Sequence, residues 1–241
     1  NKTVFIKRSC SIMNIVYRPV RLINREVLDT FRSIPVSEKP DGTRIVDKRL
    51  LTHDKDILAT AGRNAEILSA AFNDLTKAFA AGNRFRLIVP INSYSLASGE
   101  GATLIVRAMK ELDESLRDAV IAEFVDLPKS LNLDMLGDLT VPVLPFFDKY
   151  LAEPRPISST DSFTMYSNCN YFGVSLNLEA FEETGDQALA LLTEFWAEAT
   201  KSRLKVVIEG ISDQALIDKA QQYEVFALDG PIIAPDQETM A

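Results

Sequence analysis

Residues 205–230 alternate between apolar and polar character as a strand–helix–strand unit requires. Lys205-Val-Val-Ile-Glu-Gly is a short apolar run that ends at an acid and a glycine, and Val225-Phe-Ala-Leu-Asp-Gly is a second one. The stretch between them has the polarity of a surface helix. Short, nearly continuous apolar runs are typical of buried parallel strands. In barrels built from such units, the residues at the carboxyl ends of the strands carry the function. Glu209, at the end of the first run, is therefore a candidate catalytic or ligand-binding acid.

The same alternation of strands and helices extends along the whole chain. The patterns predict strands at 11–22, 27–34, 84–91, 119–125, 157–163, 173–178, 204–211 and 225–228, and helices at 53–81, 102–117, 131–151, 180–200 and 212–223. Strands that alternate with helices favour a parallel sheet. A length of 241 residues suits one barrel. We therefore expect an α/β fold, a modified (β/α)8 TIM-like barrel, with residues 1–241 as a single domain.

Composition excludes several classes of function. The net charge of −8 argues against a nucleic-acid interface, which needs a basic face. No apolar run approaches the roughly 18 residues of a membrane span, so we expect no membrane contact. The two cysteines, Cys10 and Cys169, are too few for a disulfide framework, which favours a cytoplasmic location. The chain begins at Asn1 without a methionine, so we expect an excised or processed piece with upstream domains missing.

Four polar side chains fall at or near the ends of predicted strands: Asn92, Glu123, Asp161 and Glu209. Carboxylate and amide oxygens that converge on one barrel mouth can hold a hard cation such as Mg²⁺. Taken one at a time, each is more often an ordinary polar residue of a barrel rim. Together they define a candidate pocket.

Four segments resemble EAL domains, the bacterial barrel phosphodiesterases that cleave cyclic di-GMP. These segments are Tyr17-Arg-Pro-Val, Ile91-Asn-Ser-Tyr-Ser-Leu, Ala122-Glu-Phe-Val-Asp and Ile208-Glu-Gly-Ile. The resemblance implies the EAL type of barrel, in which we expect the first strand to run antiparallel to the others. It places Asn92 and Glu123 on metal-ligand positions, Glu209 on a third acidic position, and Asp161 on the second aspartate of an Asp-Asp-Phe-Gly motif.

Other positions depart from the EAL pattern. Our register puts Phe31 on the metal-ligand glutamate of the Glu-Ala-Leu motif and Thr160 on the first aspartate of the Asp-Asp pair. Ser175 replaces the catalytic lysine, Ser212 a second glutamate, and Asp229 a glutamine. Hydrolysis by metal-activated water needs closely placed cations and a group that orients the nucleophile. The resemblance therefore implies a degenerate domain, a pseudo-enzyme with no catalytic residue and no cofactor beyond weak Mg²⁺ binding by Asn92, Glu123 and Glu209.

Three functions remain open at this point. The preferred one is a catalytically inactive signalling domain that acts through a protein partner in a bacterial pathway, with a homodimer as a further expectation. The alternative is a receptor that binds cyclic di-GMP without cleaving it, using Arg18, Arg32 and Glu209. A weak phosphodiesterase requires a register shift in which Glu26 or Asp29 supplies the missing ligand.

Two other features have plainer interpretations. The aromatic group Phe163, Tyr166, Tyr171 and Phe172 favours core packing over an exposed contact surface. His53, the only histidine, precedes a predicted helix, and no nucleophile motif accompanies it.

Overall fold

Eight strands close into a barrel. The structure, a computed structural model, describes residues 13–25, 27–39, 41–52, 56–154, 163–180 and 185–240. The strands of the barrel are β1 Met13–Leu22, β2 Thr30–Glu38, β4 Arg86–Asn92, β5 Val120–Val125, β6 Tyr150–Ala152, β7 Gly173–Asn177, β8 Lys205–Glu209 and β9 Ala227–Leu228. Around the barrel they follow the order β1, β9, β8, β7, β6, β5, β4 and β2, and β2 pairs with β1 to complete the circle. The prediction of a modified (β/α)8 barrel is confirmed.

The first strand runs against the others. β1 is antiparallel to both β2 and β9, whereas the neighbouring pairs from β2 through β4 to β9 are parallel. The short strand β3, Arg44–Val46, pairs antiparallel with β2 outside the circle. A 3-10 turn at Lys48–Leu51 follows it. The carboxyl end of β1 therefore lies with the amino ends of the parallel strands.

Helices cover the outside of the sheet. They are α1 Ile57–Ala80, α2 Ser93–Ala97, α3 Gly99–Met109, α4 Leu133–Thr140, α5 Thr164–Asn168, α6 Asp186–Lys201 and α7 Gln214–Gln222, and further 3-10 turns lie at Glu114–Ala119 and Leu178–Ala180. In α1, the Asp56 carboxylate accepts from the Ala59 amide at 2.9 Å and caps the amino end. Gly82, at φ +91°, follows the carboxyl end, as the sequence predicts. Within the described residues, no helix is both long and apolar enough to cross a membrane.

The buried apolar residues form one large core and two smaller clusters, of which one consists of Val16, Ile34 and Val36. The larger core lies between helices and sheet and includes Phe31, Leu68 and Leu87. The other smaller cluster, which we call the lower cluster, lies near the amino ends of the parallel strands and consists of Val20, Leu22, Ile88, Ile121, Leu151, Val207 and Ala227. Of the aromatic group, Phe163, Tyr166 and Tyr171 are buried in the outer core, which confirms their predicted packing role, and Phe172 is half-buried against the lower cluster.

The segment 131–151 is where the sequence-based prediction is wrong. A single broken helix was expected there, but the structure has the short helix α4, a turn region, and then strand β6. Pro142 and Pro145 lie in the turn region, where a helix could not continue through them. The strand predicted at 157–163 falls almost entirely on 155–162, outside the described residues, and Phe163 immediately precedes α5.

The backbones of β7 and β8 approach each other closely at Gly173, and a substitution there tests this approach. A Cβ atom at this position would lie 2.3 Å from the carbonyl oxygen of Lys205 in the neighbouring strand. We expect Gly173→Ala to lower the free energy of unfolding by about 1–3 kcal/mol, because the two backbones must separate. Chemical denaturation of the variant and the unsubstituted protein measures this change in the free energy of unfolding.

The matched control is Gly137→Ala. Gly137 lies inside α4, and no atom beyond its own turn of helix comes within 4 Å of the point that a Cβ atom would occupy. Alanine there should be neutral or stabilise the protein by about 0.5–1 kcal/mol. Equal effects of the two substitutions would contradict the close strand approach at Gly173.

Candidate functional site

Three glutamates meet at the carboxyl ends of the barrel strands. Glu123 lies on β5, Glu209 is the last residue of β8, and Glu153 directly follows β6. One carboxylate oxygen from each lies within 4.8 Å of those of the other two, a spacing that could hold a metal ion. Glu123 and Glu209 are buried, and Glu153 is partly exposed.

The ammonium group of Lys48 lies among these three carboxylates. Its Nζ atom donates to Glu123 Oε2 at 2.8 Å, contacts Glu209 Oε2 at 2.6 Å, and forms a further short contact with Glu153. The lysine side chain is only 5% exposed. The protein therefore places its own cation at the point where the three acids could hold a metal.

A short chain of contacts positions Lys48. The Asp47 carboxylate accepts from the Arg49 amide at 2.7 Å and caps the 3-10 turn, and the Asp47 amide donates to the Pro35 carbonyl at 3.2 Å. Leu51, at the end of the turn, is fully buried. Its carbonyl accepts from the side-chain amide of Asn92. The Lys48 turn is thus fixed at both ends, to β2 and to the end of β4.

Arg32 supplies a second buried cation. It lies on β2 with no solvent exposure, and its guanidinium is within 3.0 Å of Asp229 and 3.2 Å of Glu209, with a shorter contact to Glu123. The hydroxyl of Ser175, on β7, donates to the other oxygen of Glu123. Since Lys48 and Arg32 both donate to Oε2 of Glu123 and Ser175 donates to Oε1, both oxygens of this carboxylate accept hydrogen bonds from within the protein.

Arg18 forms an outer layer of the same network. Its guanidinium pairs with Asp236 and with Glu179 at 2.7 Å each, and it lies 3.8 Å from Asp229. The arginine side chain is 9% exposed, whereas those of Asp236 and Glu179 are 27% and 41% exposed. The network therefore extends from the barrel interior to the surface.

Burial and charge pairing shift the pKa values of Glu123 and Glu209 in opposite directions. Burial raises the pKa of Glu209 well above its usual range, and repulsion by Glu123 and Glu153 acts in the same direction, against the attraction of Arg32 and Lys48. Burial would also raise the pKa of Glu123, but Arg32 and Lys48 together lower it well below its usual range. Burial disfavours the charged lysine, yet the carboxylates raise the pKa of Lys48 far above that of a free lysine. Burial and repulsion therefore favour the neutral form of Glu209, whereas the neighbouring charges favour the ionised form of Glu123 and the charged form of Lys48.

The structure brings only part of the predicted site together. Glu123 and Glu209 do converge, as expected from their positions at strand ends. Asn92 is fully buried, but its side-chain oxygen caps α2 by accepting from the Ser95 amide, and its nitrogen donates to Leu51 and Asp126. Asn92 therefore anchors the Lys48 turn rather than facing the acids with a free oxygen. Asp161 lies outside the described residues, as do Thr160, His53 and Cys10.

The register around β2 also differs from the expected one. Phe31, placed by the sequence on a ligand position, packs in the outer core with its ring 5.0 Å from that of Phe85. The next residue, Arg32, faces the acids instead. Asp29 binds Arg25 at 2.7 Å and its carbonyl accepts from the Arg86 amide, at the opposite end of the barrel. Asp29 is therefore not the missing ligand of a shifted register, and Glu26 lies outside the described residues.

Two residues of the site were missed from the sequence. Glu153 follows the apolar run Tyr150-Leu-Ala, and an acid after an apolar run is the pattern that identified Glu209. The helix predicted over 131–151 covers most of this run, so the sequence does not predict a strand there. Lys48 has no such signal, because a lysine in a loop-like stretch after β3 looks like any surface lysine. Only the folded position of the 3-10 turn brings it to the acids.

The raised pKa of Glu209 gives a prediction for the pH dependence of stability. The unfolded chain releases the Glu209 proton near pH 4.5, whereas the folded chain keeps it to higher pH, so stability from this group falls as pH rises through that window. Glu209→Gln keeps a neutral side chain at every pH. We expect the variant to gain stability relative to the unsubstituted protein by up to about 1.4 kcal/mol per pH unit in the window.

Urea denaturation of both proteins between about pH 5 and about pH 8 measures this difference. A difference in free energy of unfolding that stays constant with pH would show that Glu209 is ionised in the folded state.

No family model matches the sequence, and no curated protein matches it. Solved structures do match. An EAL domain protein from Listeria monocytogenes EGD-e is 15% identical, with 94% of this chain and 89% of that chain covered and a TM-score of 0.66.

Two further matches contain a bound dinucleotide. The PaMucR phosphodiesterase in its cyclic di-GMP complex is 14% identical, with a TM-score of 0.74 and 93% and 92% of the two chains covered. The Bacillus subtilis YkuI protein, which has an EAL domain and was solved with cyclic di-GMP and calcium, is 9% identical, with a TM-score of 0.72 over 95% of this chain and 56% of that one. At these identities the likeness is one of fold, and it matches the resemblance of the strand segments: the chain has the fold of EAL domains.

Proposed function

We propose that this chain is a catalytically inactive EAL-type signalling domain that acts through contacts with a protein partner. The observation that carries the proposal is the position of the Lys48 ammonium group among Glu123, Glu153 and Glu209. A divalent cation needs the same carboxylate oxygens that this ammonium group occupies. Metal-activated water is the nucleophile in metal-dependent phosphodiester hydrolysis, so a lysine in the place of the metal removes that nucleophile.

Arg32 and Ser175 strengthen this argument. Arg32 neutralises the acids from the β2 side, where it pairs with Glu123 and Asp229. Ser175 stands where the resemblance places a catalytic lysine, and its hydroxyl donates to Glu123 instead of to a reacting water. The carboxylates therefore serve an internal ion network, which supports a structural rather than a catalytic role.

The network also bears on the alternative of a cyclic di-GMP receptor. The EAL neighbours solved as cyclic di-GMP complexes support this alternative. Binding a dianionic ligand requires cationic donors that face solvent. Arg32 is fully buried, and Arg18 pairs with Glu179 and Asp236. A phosphate group would have to displace carboxylates already bound to both arginines, so the receptor is the less favoured function.

An exposed apolar segment supports contact with a partner. Eight large apolar side chains are exposed among the described residues, and four of them, Leu133, Met135, Val141 and Leu144, lie on α4 and in the turn region after it. Val141 is the most exposed of these four, at 61%. A local concentration of exposed apolar side chains is typical of protein-interaction surfaces.

Calorimetric titration with cyclic di-GMP, with and without Mg²⁺, tests the proposed function. We expect no saturable heat and no release of linear dinucleotide under either condition. Saturable binding without cleavage would establish the receptor instead. Turnover of cyclic di-GMP would contradict the inactive domain.

Substitution of Lys48 tests the reason for inactivity. Lys48→Ala leaves buried carboxylates without their cation, so we expect the free energy of unfolding to fall by about 3–5 kcal/mol without metal. Mn²⁺ should then stabilise the variant by RT ln(1 + [L]/Kd), about 2.7 kcal/mol at a hundredfold excess over Kd. The unsubstituted protein should show no such response.

The control is Lys129→Ala, at an exposed lysine in the loop before α4. It should alter neither the stability nor the response to Mn²⁺. Equal stabilisation of the unsubstituted protein and Lys48→Ala by Mn²⁺ would show that the lysine does not exclude the metal.

A further inference from the structure

The end of the barrel opposite the acidic network carries a basic cavity. We define the barrel base as the amino ends of the parallel strands together with the carboxyl end of the antiparallel strand β1. Backbone hydrogen bonds bring these positions into one layer. The main-chain amide of Lys205 donates to the Phe172 carbonyl at 3.1 Å, and the main-chain amide of Ile23 donates to the Phe226 carbonyl at 3.2 Å. A cavity of about 360 Å³ opens in this layer.

Four basic side chains line this cavity: Arg25, Arg86, Lys149 and Lys205. They come from four different parts of the chain, namely the turn after β1 and the starts of β4, β6 and β8. Two acids face them. Asp29 binds Arg25 at 2.7 Å and lies 3.9 Å from Arg86, and Glu224 lines the cavity. The base therefore carries an excess of positive charge in a chain whose net charge is −8.

The two lysines are available to a ligand. Both Lys149 and Lys205 are exposed, and neither forms an ion pair with any acid among the described residues. An ammonium group without an internal partner remains hydrated and can exchange water for an anion at little cost. This distinguishes the base from the opposite end, where Lys48 and Arg32 are buried in ion pairs.

Two aromatic rings give the cavity an apolar floor. Phe172 and Phe226 meet edge to face, with ring centroids 4.9 Å apart and planes at 82°. Both are half-buried and pack against the lower cluster, which contains Leu22 and Ile121. Cations above an aromatic floor suit a ligand with an anionic group and a flat apolar body.

From this geometry we infer that the barrel base binds a phosphorylated compound with a planar ring, of the nucleoside diphosphate class. Phosphate oxygens accept hydrogen bonds from Lys149, Lys205 and Arg86, and the ring packs on Phe172 and Phe226. The cavity volume lies within the range of small-ligand sites, roughly 300–1,000 Å³. The site lies at the end of the barrel opposite Glu123 and Glu209, so it is independent of the proposed function.

Titration of the full chain with ADP and with GDP tests the inference, and isothermal calorimetry provides the readout. We expect saturable binding that weakens as salt increases, because dissolved ions screen the contacts between phosphate and the exposed lysines. The double variant Lys149→Glu, Lys205→Glu should weaken binding at least tenfold. Both lysines are exposed, so the variant should keep the thermal stability of the unsubstituted protein.

Control ligands and a control variant separate the two parts of the inference. Lys129→Glu makes the same charge change at an exposed lysine outside the cavity and should leave the affinity unchanged. Adenosine, which has the ring without phosphate, and pyrophosphate, which has the phosphates without a ring, should each bind at least tenfold more weakly than ADP.

Three results would overturn the inference. One is the absence of saturable binding of ADP and GDP by the folded protein. Another is undiminished affinity in the double lysine variant. The third is pyrophosphate binding as tight as that of ADP, which would reduce the site to a simple anion site without recognition of a ring.

Discussion

The contacts of the Lys48 ammonium group with Glu123, Glu153 and Glu209 are the interactions on which the rest of the site depends. Carboxylates gathered at a barrel mouth repel one another, and burial adds a further cost for each charge. A metal ion is one solution to this problem. In this chain the cation is the side chain of Lys48, which comes from a turn between β3 and α1. The geometry of an acidic pocket is therefore kept without an external ligand.

The lysine changes the role of residues that surround it. Asn92 holds the end of the Lys48 turn through its amide, and Asp229 orients Arg32 from the opposite side. A buried cation with several acceptors is strongly directional, and removing one partner leaves the others unpaired. The polar interior therefore specifies the positions of β2, β5, β8 and β9 relative to one another, in addition to the apolar core.

Most of the architecture could be predicted because apolar runs and helical periodicity are local properties of the sequence. Glu123 and Glu209 could be identified because each lies at or near the end of an apolar run. Strand β6 has only three residues, too few for a periodic signal, so it was missed together with Glu153. Phe31 packs in the outer core and its neighbour Arg32 faces the acids, because adjacent residues of a strand lie on opposite faces. Lys48 and Arg32 contact residues 75 to 197 positions away along the chain, and nothing local distinguishes a cation that enters a barrel from one that faces water.

The parallel strands give the barrel two unlike ends, one with their carboxyl ends and one with their amino ends, and the charged side chains of the two sites follow this division. Partly exposed acids, among them Glu153, Glu179 and Asp236, lie at one end, and the basic side chains of the base lie at the other. These side chains therefore contribute an electric dipole moment along the barrel axis. Such a dipole orients a molecule in the field of a charged partner before contact, over about 10 Å at moderate ionic strength. The end that reaches a charged surface first is then decided by the sign of that surface.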